Sequence, residues 1–283
     1  MQDKICLITG ATSGIGKAAA FVLAKNNCHV ILTGRSNVKG NKTAESIKIH
    51  TNNTKIKFIK ADLSSTASIK ELSEKLQSLV PRIDILINNA GVYYTKRHIN
   101  EDGIEVTFMV NYLSRFYLTN LLIKLLEKGQ DARILNISGE YHRKCKLDFT
   151  DLQLRKGYTG MKAVSRSKLA DILFTYELSR KLEKSNIKVN CMHPGAVATG
   201  IILHDPEYPS GLKLLYKICM PFLRHPESAA EDIVYLLTDK QNDKISGKYF
   251  NRRKLCRSSE LSYNTDISKK LWELSNSLLG TDY

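Results

Sequence analysis

Short apolar segments alternate with longer amphipathic segments along most of the chain. The apolar segments are rich in Ile, Val and Leu and do not alternate apolar with polar residues, which is typical of strands buried on both faces of a parallel sheet. They cover residues 4–9, 29–33, 56–60, 83–88, 133–137 and 188–192. Helical patterns fill the intervals at 15–26, 41–50, 65–79, 103–128 and 161–184. This order predicts an α/β fold with a doubly wound parallel sheet and helices on both faces.

The last third of the chain is less regular. Residues 201–283 predict short helices and a final edge strand near Lys248–Phe250. No linker of Pro, Ser and Gly and no internal repeat divides the 283 residues. We therefore predict a single domain that spans residues 1–283.

Composition and charge narrow the classes of function. Hydrophobic residues make up 42% and charged residues 25%, which excludes a wholly disordered chain. Lys and Arg number 43 against 28 Asp and Glu, so the net charge of +15 favours an anionic partner such as a nucleotide, a nucleic acid or an anionic membrane surface. Six cysteines without a CxxC pair predict reduced thiols in a cytoplasmic protein, and the seven histidines show no metal-ligand spacing. No stretch has the pattern of a secretory leader or a membrane span, so we expect neither.

A glycine-rich segment follows the first predicted strand and reads Thr9-Gly10-Ala11-Thr12-Ser13-Gly14-Ile15-Gly16. Glycines permit a tight turn there and let backbone N–H groups at a helix N-terminus approach a pyrophosphate. The segment predicts a dinucleotide site with contacts from Gly10, Thr12, Ser13, Gly14, Ile15 and Gly16.

The residue after the second strand indicates which dinucleotide is bound. NAD-preferring sites place Asp or Glu about 20 residues after the glycines, where it binds the ribose 2′-hydroxyl. Here the segment reads Thr33-Gly34-Arg35-Ser36, without a carboxylate. Arg35 can pair bidentately with a 2′-phosphate, and Lys17 adds positive charge. We predict NADP(H) as the cofactor.

The TGxxxGIG spacing resembles the short-chain dehydrogenase/reductase superfamily, and four further motifs in the same order extend the resemblance. Asn89-Ala90-Gly91 follows the fourth strand, and Asp62-Leu63 resembles the adenine-contacting pair. His193-Pro194-Gly195 with Thr199 resembles the nicotinamide-contacting segment after the sixth strand. Asn111 resembles the family's helix asparagine, which holds a structural water near the active site. The resemblance implies a Rossmann-type fold with a dinucleotide-binding core at 1–200 and a substrate lid and C-terminal segment at 201–283. It implies cofactor contacts from Asp62, Leu63, Asn89, Ala90, Gly91, Lys168, Pro194, Gly195 and Thr199.

The second half of the chain resembles the retinol dehydrogenase-like branch over residues 167–182, 189–195 and 271–275. The resemblance implies hydride transfer between NADP(H) and a lipophilic carbonyl or alcohol, and assembly as a homo-oligomer. We expect no nucleic-acid partner. The apolar segment Gly211–His225 carries interspersed basic residues and is interpreted as a lid that also contacts a membrane surface peripherally, with a core or dimer-packing helix as the alternative.

The chemistry of the superfamily needs a Tyr that exchanges a proton, a Lys four residues later that lowers the pKa of the Tyr, and a Ser that polarises the carbonyl oxygen. The Lys is Lys168, but the position of the Tyr is Val164 and that of the Ser is Gly139. Ser138 is adjacent, although neighbouring residues on a strand point to opposite faces.

Two tyrosines are candidates for the missing proton donor. Tyr158 forms a second YxxxK pattern with Lys162, but it lies six residues before Val164, about 240° around a helix. Tyr141 follows Gly139 by two residues. The candidate catalytic residues are therefore Lys168, Asn111, Ser138 and Tyr158. Three functions stay open. The first is an NADP(H)-dependent oxidoreductase with a rearranged donor, and the second is a catalytically silent NADP-binding relative that acts as a sensor or interaction partner. The third, which only the charge supports, is a basic protein that reuses the fold to associate with nucleic acid or a membrane.

Overall fold

The architecture is that of a computed structural model that describes residues 1–283. One sheet of eight strands forms its centre, in the order β3-β2-β1-β4-β5-β6-β7-β8. Strands β1 to β7 are parallel, and β8 pairs antiparallel with β7. The strands are β1 (Ile5–Ile8), β2 (His29–Gly34), β3 (Ile56–Lys60), β4 (Ile85–Asn88), β5 (Arg133–Ile137), β6 (Lys188–His193), β7 (Lys248–Asn251) and β8 (Lys254–Cys256).

Helices cover both faces of this sheet. They are α1 (Gly14–Lys25), α2 (Asn37–Thr51), α3 (Thr66–Leu79), α4 (Val106–Phe108), α5 (Ser114–Glu127), α6 (Gly160–Lys181), α7 (Ser210–Cys219), α8 (Pro226–Thr238) and α9 (Thr265–Leu279). One core of 24 buried residues joins α1, α2 and α8 to one face, and a core of 33 joins α3, α5, α6 and α9 to the other. The predicted α/β fold with a doubly wound sheet is confirmed.

Two elements differ from their predicted form. The helix expected over residues 103–128 is interrupted by a π-helical turn at Met109–Leu113, and such turns often occur at functional sites. The last predicted strand, β7, is not an edge strand, because the chain turns back after it and adds β8. The C-terminal third therefore adds two strands to the sheet and packs two helices, α8 and α9, against its faces.

The strand order places several loops at one end of the sheet. The chain runs from β1 outward to β3 and then returns to the other side of β1 with β4, so the order reverses between β1 and β4. The register aligns Ile8 with Ile87, Asn88 with Asn136, and Ile137 with Met192. The loops that follow β1, β4, β5 and β6 therefore meet at the carboxyl edge, where ligands of such folds bind.

Candidate active site

A cleft of about 1090 Å³ opens at this carboxyl edge. The turn between β1 and α1 forms part of its wall, and there the backbones of two loops come into contact. Gly10 has φ +64°, and a Cβ there would lie 2.8 Å from Ala90 Cα. A Cβ at Gly16 would lie 2.5 Å from Asn89 Nδ2. Neither position has space for a side chain, which explains both glycines.

The N-terminus of α1 presents free backbone donors to the cleft. Ser13 precedes the helix in an extended conformation, and its side chain caps no N–H group. Gly14 follows with φ +52°. The first N–H groups of the helix carry a partial positive charge and lack intrahelical partners, so they fit the pyrophosphate of a dinucleotide.

Asn89 fixes the loop after β4 against this turn. Its Nδ2 donates to Thr9 O at 3.0 Å and to Gly10 O at 3.1 Å. Thr9 Oγ1 accepts from Asn89 N at 3.0 Å and from Ala90 N at 3.1 Å. The two loops are thus tied by four hydrogen bonds, and the cleft wall that they form is rigid.

Two cations without a salt-bridge partner line one end of the cleft, which we call the adenosine end. Arg35 follows β2, and Lys39 lies in the first turn of α2. Neither side chain makes a salt bridge. Burial, and after it the charges of Lys39 and Arg35, lowers the pKa of the nearby His204. The Asp62 carboxylate, at the same end, accepts from Ser64 N at 2.9 Å and from Ser64 Oγ at 2.7 Å. This end fits an adenosine that carries an additional phosphate.

The opposite end of the cleft lies under the loop after β6. Pro194, Gly195 and Thr199 line it, and Gly195 has φ +88°. Tyr216 of α7 donates from its hydroxyl to Thr199 O at 2.8 Å. That bond connects α7 to the part of the cleft that fits a nicotinamide.

Lys168 lies in the cleft wall at this end. Its Nζ donates to Ile137 O, the last carbonyl of β5, at 3.0 Å. Burial, and after it the charge of Arg115, lowers the pKa of Lys168 to about 7. A lysine with that pKa exchanges its proton readily at neutral pH.

A buried ion pair also contacts the carbonyl group of Ile137. Arg115 of α5 pairs with Asp171 of α6 at 2.5 Å, and both side chains are almost inaccessible to solvent. Arg115 also donates to Ile137 O at 3.0 Å and to Ala90 O at 2.8 Å. The pair therefore joins the cofactor loop after β4 to the end of β5.

Asn111 lies in the π-helical turn, behind the cleft wall. Its side chain accepts from Val92 N at 2.7 Å and donates to Val92 O at 3.0 Å. It approaches Ser167 Oγ at 3.4 Å. Asn111 thus holds the loop after β4 beside the turn that carries Lys168.

The positions of the missing Tyr and Ser both adjoin Lys168. Val164 lines the cleft one helical turn before it. A Cβ at Gly139 would lie 3.6 Å from Lys168 Cε, which is an ordinary van der Waals contact. Ser138 itself lines the cleft, and its hydroxyl donates to Lys168 O at 3.1 Å. The hydroxyl of Ser138 therefore has a backbone partner on α6, and its catalytic role stays a prediction.

The structure also gives Tyr158 different neighbours from those that a proton donor needs. Its hydroxyl lies 3.2 Å from Thr107 Oγ1, 3.2 Å from Tyr94 O and 3.4 Å from Glu105 Oε1. Burial raises the pKa of Tyr158 well above its ordinary value. It is absent from the cleft wall because it lies before the start of α6, in the loop that packs on α4. Tyr158 therefore lies outside the cleft wall, and its role as proton donor stays an untested prediction that this position does not favour.

Tyr141 is the tyrosine of the 139–160 loop that reaches the cleft. It lies in a 3₁₀ turn after β5 and is half exposed.

Most of the predicted cofactor contacts also line the cleft: Gly10, Thr12, Ser13, Gly14, Ile15, Arg35, Asp62, Leu63, Asn89, Ala90, Gly91, Lys168, Pro194, Gly195 and Thr199. Gly16 lies beneath the wall, as a packing residue.

Three charged residues of this site were not predicted from the sequence. Lys39, rather than the exposed Lys17, supplies the second cation at the adenosine end. Lys39 could have been found from its position, because it follows Arg35 closely and lies in the first turn of α2. Arg115 and Asp171 are 56 residues apart and carry no local pattern that would pair them.

The model of the family described as short chain dehydrogenase matches residues 4–205. The chain belongs to the short-chain dehydrogenase family. The predicted resemblance is confirmed, and it extends to retinol dehydrogenases over the whole chain. Human retinol dehydrogenase 13 is 37% identical over 100% of this chain and 86% of its own length. Human retinol dehydrogenase 12 is 35% identical over 99% of this chain and 87% of its own length.

Solved structures share the fold of this short-chain dehydrogenase. An uncharacterised protein from Mycobacterium paratuberculosis superposes with a TM-score of 0.79 at 25% identity, over 100% of this chain and 95% of that one. RhlG of Pseudomonas aeruginosa, in an active-site complex with NADP, superposes with a TM-score of 0.70 at 25% identity, over 89% of this chain and 95% of that one.

Proposed function

We propose that this short-chain dehydrogenase transfers hydride between NADP(H) and a lipophilic carbonyl or alcohol. We further propose that Val164 and Gly139 make it slower than a family member with Tyr and Ser at those positions. The observation that carries the proposal is the complete dinucleotide cleft that ends at Lys168. The retinol dehydrogenases among the relatives support the substrate class.

The choice of NADP(H) rests on charge at the adenosine end. Arg35 and Lys39 line the cleft and have no carboxylate partner. An anionic 2′-phosphate would receive charge-assisted hydrogen bonds from Arg35, whereas an uncharged 2′-hydroxyl would not. The NADP complex of RhlG, a protein of the same fold, supports the same choice.

Reduction of the carbonyl needs a hydride at carbon and a proton at oxygen. NADPH, when bound, supplies the hydride, and the protein or solvent supplies the proton. Val164 has no proton to exchange, and Tyr158 is held at Thr107 and Glu105. Lys168 is the titratable residue beside both replaced positions, and its lowered pKa of about 7 suits proton donation near neutral pH. We therefore assign the proton transfer to the ammonium of Lys168.

The cofactor loops would orient the substrate in this mechanism. Gly195 and Thr199 form the nicotinamide end, and the bond from Tyr216 to Thr199 O places α7 over it. None of the ten residues of α7 is buried, so the helix is not part of the core. Its apolar side chains, together with the 88%-exposed Phe222, fit a lid for a lipophilic ligand.

The same surface is the candidate for peripheral contact with a membrane. Lys213 and Lys217 alternate with the exposed apolar residues of α7, which suits an anionic lipid surface. No helix of the structure combines the length and the hydropathy that a membrane crossing requires. Cytoplasmic location and assembly as a homo-oligomer stay predictions.

A catalytically silent NADP-binding protein is the second candidate function. It is favoured by one specific observation: neither Val164 nor Gly139 offers a hydroxyl to a substrate carbonyl beside Lys168. Such a protein would bind NADPH and act as a sensor or as an interaction partner of another molecule.

The two candidates separate in one experiment. NADPH and NADH are titrated by fluorescence, and NADPH oxidation is then followed with retinal as the acceptor, in wild type and in Lys168→Met. We expect tighter binding of NADPH than of NADH, and slow turnover that Lys168→Met abolishes. NADPH binding without turnover in wild type would support the silent protein. Equal turnover in the two proteins would remove Lys168 as the proton donor, and absence of NADPH binding would overturn both functions.

A further inference from the structure

A second cavity of about 880 Å³ adjoins the cofactor cleft. Its walls come from the loop between β5 and α6 and from the first turns of α6. Tyr141 and Met161 line both spaces, so these two side chains form the boundary between them. A ligand that passes them would occupy both.

The second cavity is strongly basic. Six cationic side chains line it: Lys144, Lys146, Arg155, Lys156, Lys162 and Arg166. None of them lies within salt-bridge distance of a carboxylate, although ion pairs occur elsewhere in the chain. The positive charge of this cavity is therefore available to a ligand.

The two acidic residues of the cavity are engaged by the loop itself. Asp148 accepts from Thr150 N at 2.9 Å and from Thr150 Oγ1 at 2.7 Å. Asp151 accepts from Arg155 N at 2.8 Å and from Lys156 N at 3.2 Å. Hydrogen bonds from Thr150 and from Arg155 N, and after them the charge of Arg166, lower the pKa values of Asp148 and Asp151. Both carboxylates thus shape the turns that present the cations, and they lie near Arg166 without forming a salt bridge with it.

Arg166 is the buried member of this group. It is only 8% exposed, and its single hydrogen-bond acceptor is Asp151 O. A buried guanidinium that lacks a carboxylate partner carries a desolvation cost, and an anion with two oxygens can offset that cost by bidentate pairing. This residue distinguishes the cavity from a set of solvated lysines.

Helix α6 connects the buried cation to the reaction site. Lys162 and Arg166 lie one turn apart on the side of the second cavity, whereas Val164 and Lys168 lie one turn apart at the cleft. We propose that the second cavity binds the anionic end, a phosphate or a carboxylate, of the substrate whose carbonyl lies at Lys168. This proposal rests on the proposed function, and it predicts that amphipathic carbonyls with one charged end are preferred among the lipophilic substrates.

Binding is tested first, without turnover, by calorimetry with decyl phosphate and decanol in the presence of NADPH. We expect decyl phosphate to bind more tightly by about tenfold to a hundredfold, because charge-assisted hydrogen bonds are added. Arg166→Gln and the exposed double change Lys146→Gln/Lys162→Gln should each remove most of this preference. Lys184→Gln, an exposed cation beyond the end of α6, is the matched control and should keep it.

Turnover supplies the second readout. The ratio of kcat/KM for 10-oxodecanoate to that for decanal should exceed one in wild type and fall toward one in the cavity variants. The double lysine variant keeps the test valid if Arg166→Gln does not fold. Turnover of decanal with no preference for either anion would overturn the anion site and leave the proposed function standing. Charge-dependent binding of decyl phosphate without turnover of any aldehyde would support the anion site and overturn the proposed function.

The source of the anion is tested with inorganic phosphate and with vesicles. Competition of phosphate with decyl phosphate, sensitive to the cavity variants, supports the site. Vesicles of phosphatidylcholine with phosphatidylserine test a lipid headgroup in the same place. Binding of these vesicles that the cavity variants abolish, with no preference for decyl phosphate over decanol, would overturn the assignment to substrate.

Discussion

The two ends of the cofactor cleft differ in how they are built. At the dinucleotide end, backbone groups, glycines and the N-terminus of α1 form the site, and four hydrogen bonds from two residues hold the loops together. At the reaction end, the chemistry depends on individual side-chain atoms. There Lys168 is in place, but Val164 and Gly139 offer no hydroxyl.

The difference shows why binding and catalysis can separate within one fold. A site made from backbone geometry persists as long as the fold does, because the loops after β1 and β4 are also structural. A site that depends on one hydroxyl group is lost with a single substitution that the fold tolerates. Val164 fits its helix, and Gly139 makes no close contact, so neither replacement disturbs the cofactor end.

Restoring the two hydroxyl groups should give the largest effect. Val164→Tyr with Gly139→Ser is expected to raise kcat/KM for retinal by about 10²- to 10⁴-fold, the usual contribution of a positioned acid. A Ser fits at Gly139, since its Cβ meets Lys168 Cε at 3.6 Å. Steady-state kinetics at saturating NADPH measure the change. A rate equal to that of wild type would mean that this end of the cleft already has an efficient donor.

Breaking the buried ion pair should give the next largest effect. Arg115→Met leaves the Asp171 carboxylate buried without its partner, and loss of one member of such a pair costs about 3–5 kcal/mol. Urea unfolding measures the change in the free energy of unfolding. Arg115→Met with Asp171→Leu is the control and should recover most of the loss. A single variant as stable as wild type would show that the ion pair does not stabilise the fold.

Changing the adenosine end should alter cofactor choice and nothing else. Arg35→Ser is expected to weaken NADPH binding by about ten- to a hundredfold and to leave NADH binding unchanged, because only the 2′-phosphate loses a charged partner. Lys17→Ser removes the same charge from an exposed position of α1 outside the cleft wall. Fluorescence titration of both variants makes the comparison. A similar loss in Lys17→Ser would point to net charge and not to a phosphate site.

The lowered pKa of Lys168 predicts a pH dependence of stability. In the folded state its amine titrates near pH 7, whereas in the unfolded chain it titrates near its ordinary value. Between these values the unfolded state binds more protons, so the free energy of unfolding rises with pH. The contribution is at most about 1.4 kcal/mol per pH unit and is lessened by the solvent that reaches Lys168 through the cleft.

Lys168→Met should remove this rise, and Lys184→Met, at an exposed position, should not. Thermal unfolding at several pH values between 6 and about 10 measures the slopes. Identical slopes in wild type and Lys168→Met would show that the amine is not desolvated at the reaction end.

The smallest effect is expected from Tyr158→Phe. Its hydroxyl bonds to Thr107, Tyr94 O and Glu105 and does not line the cleft, so kcat/KM and NADPH binding should stay within about twofold of wild type. Tyr141→Phe, at the cleft boundary, is assayed beside it. A large loss of turnover in Tyr158→Phe would restore it as the proton donor.

The sequence predicted the parallel sheet and most of the cofactor contacts because those features follow local rules. Apolar segments mark buried strands, and the glycine turn at Gly10 has a fixed relation to the helix after it. The replaced positions were also visible, because the resemblance to the family implies a Tyr four residues before Lys168, where this chain has Val164. In each case the physical constraint acts over a few residues.

Features that depend on distant contacts were not predictable in this way. Arg115 and Asp171 pair across two helices, and the π-helical turn at Asn111 depends on bonds to Val92 from a separate loop. The basic cavity arises where a loop folds over α6, and the spacing of its lysines along the chain shows no period. Only the folded chain shows that Arg166 is buried without a carboxylate partner.

We propose that the dinucleotide end of the cleft is complete and binds NADPH independently of the reaction end. The most direct test is the dissociation constant of NADPH for wild type and for Val164→Tyr/Gly139→Ser, measured side by side by fluorescence titration. We predict saturable binding to both proteins, with constants that agree within about twofold. Absence of NADPH binding to wild type, or binding that emerges only when the Tyr and Ser are introduced, would contradict the claim.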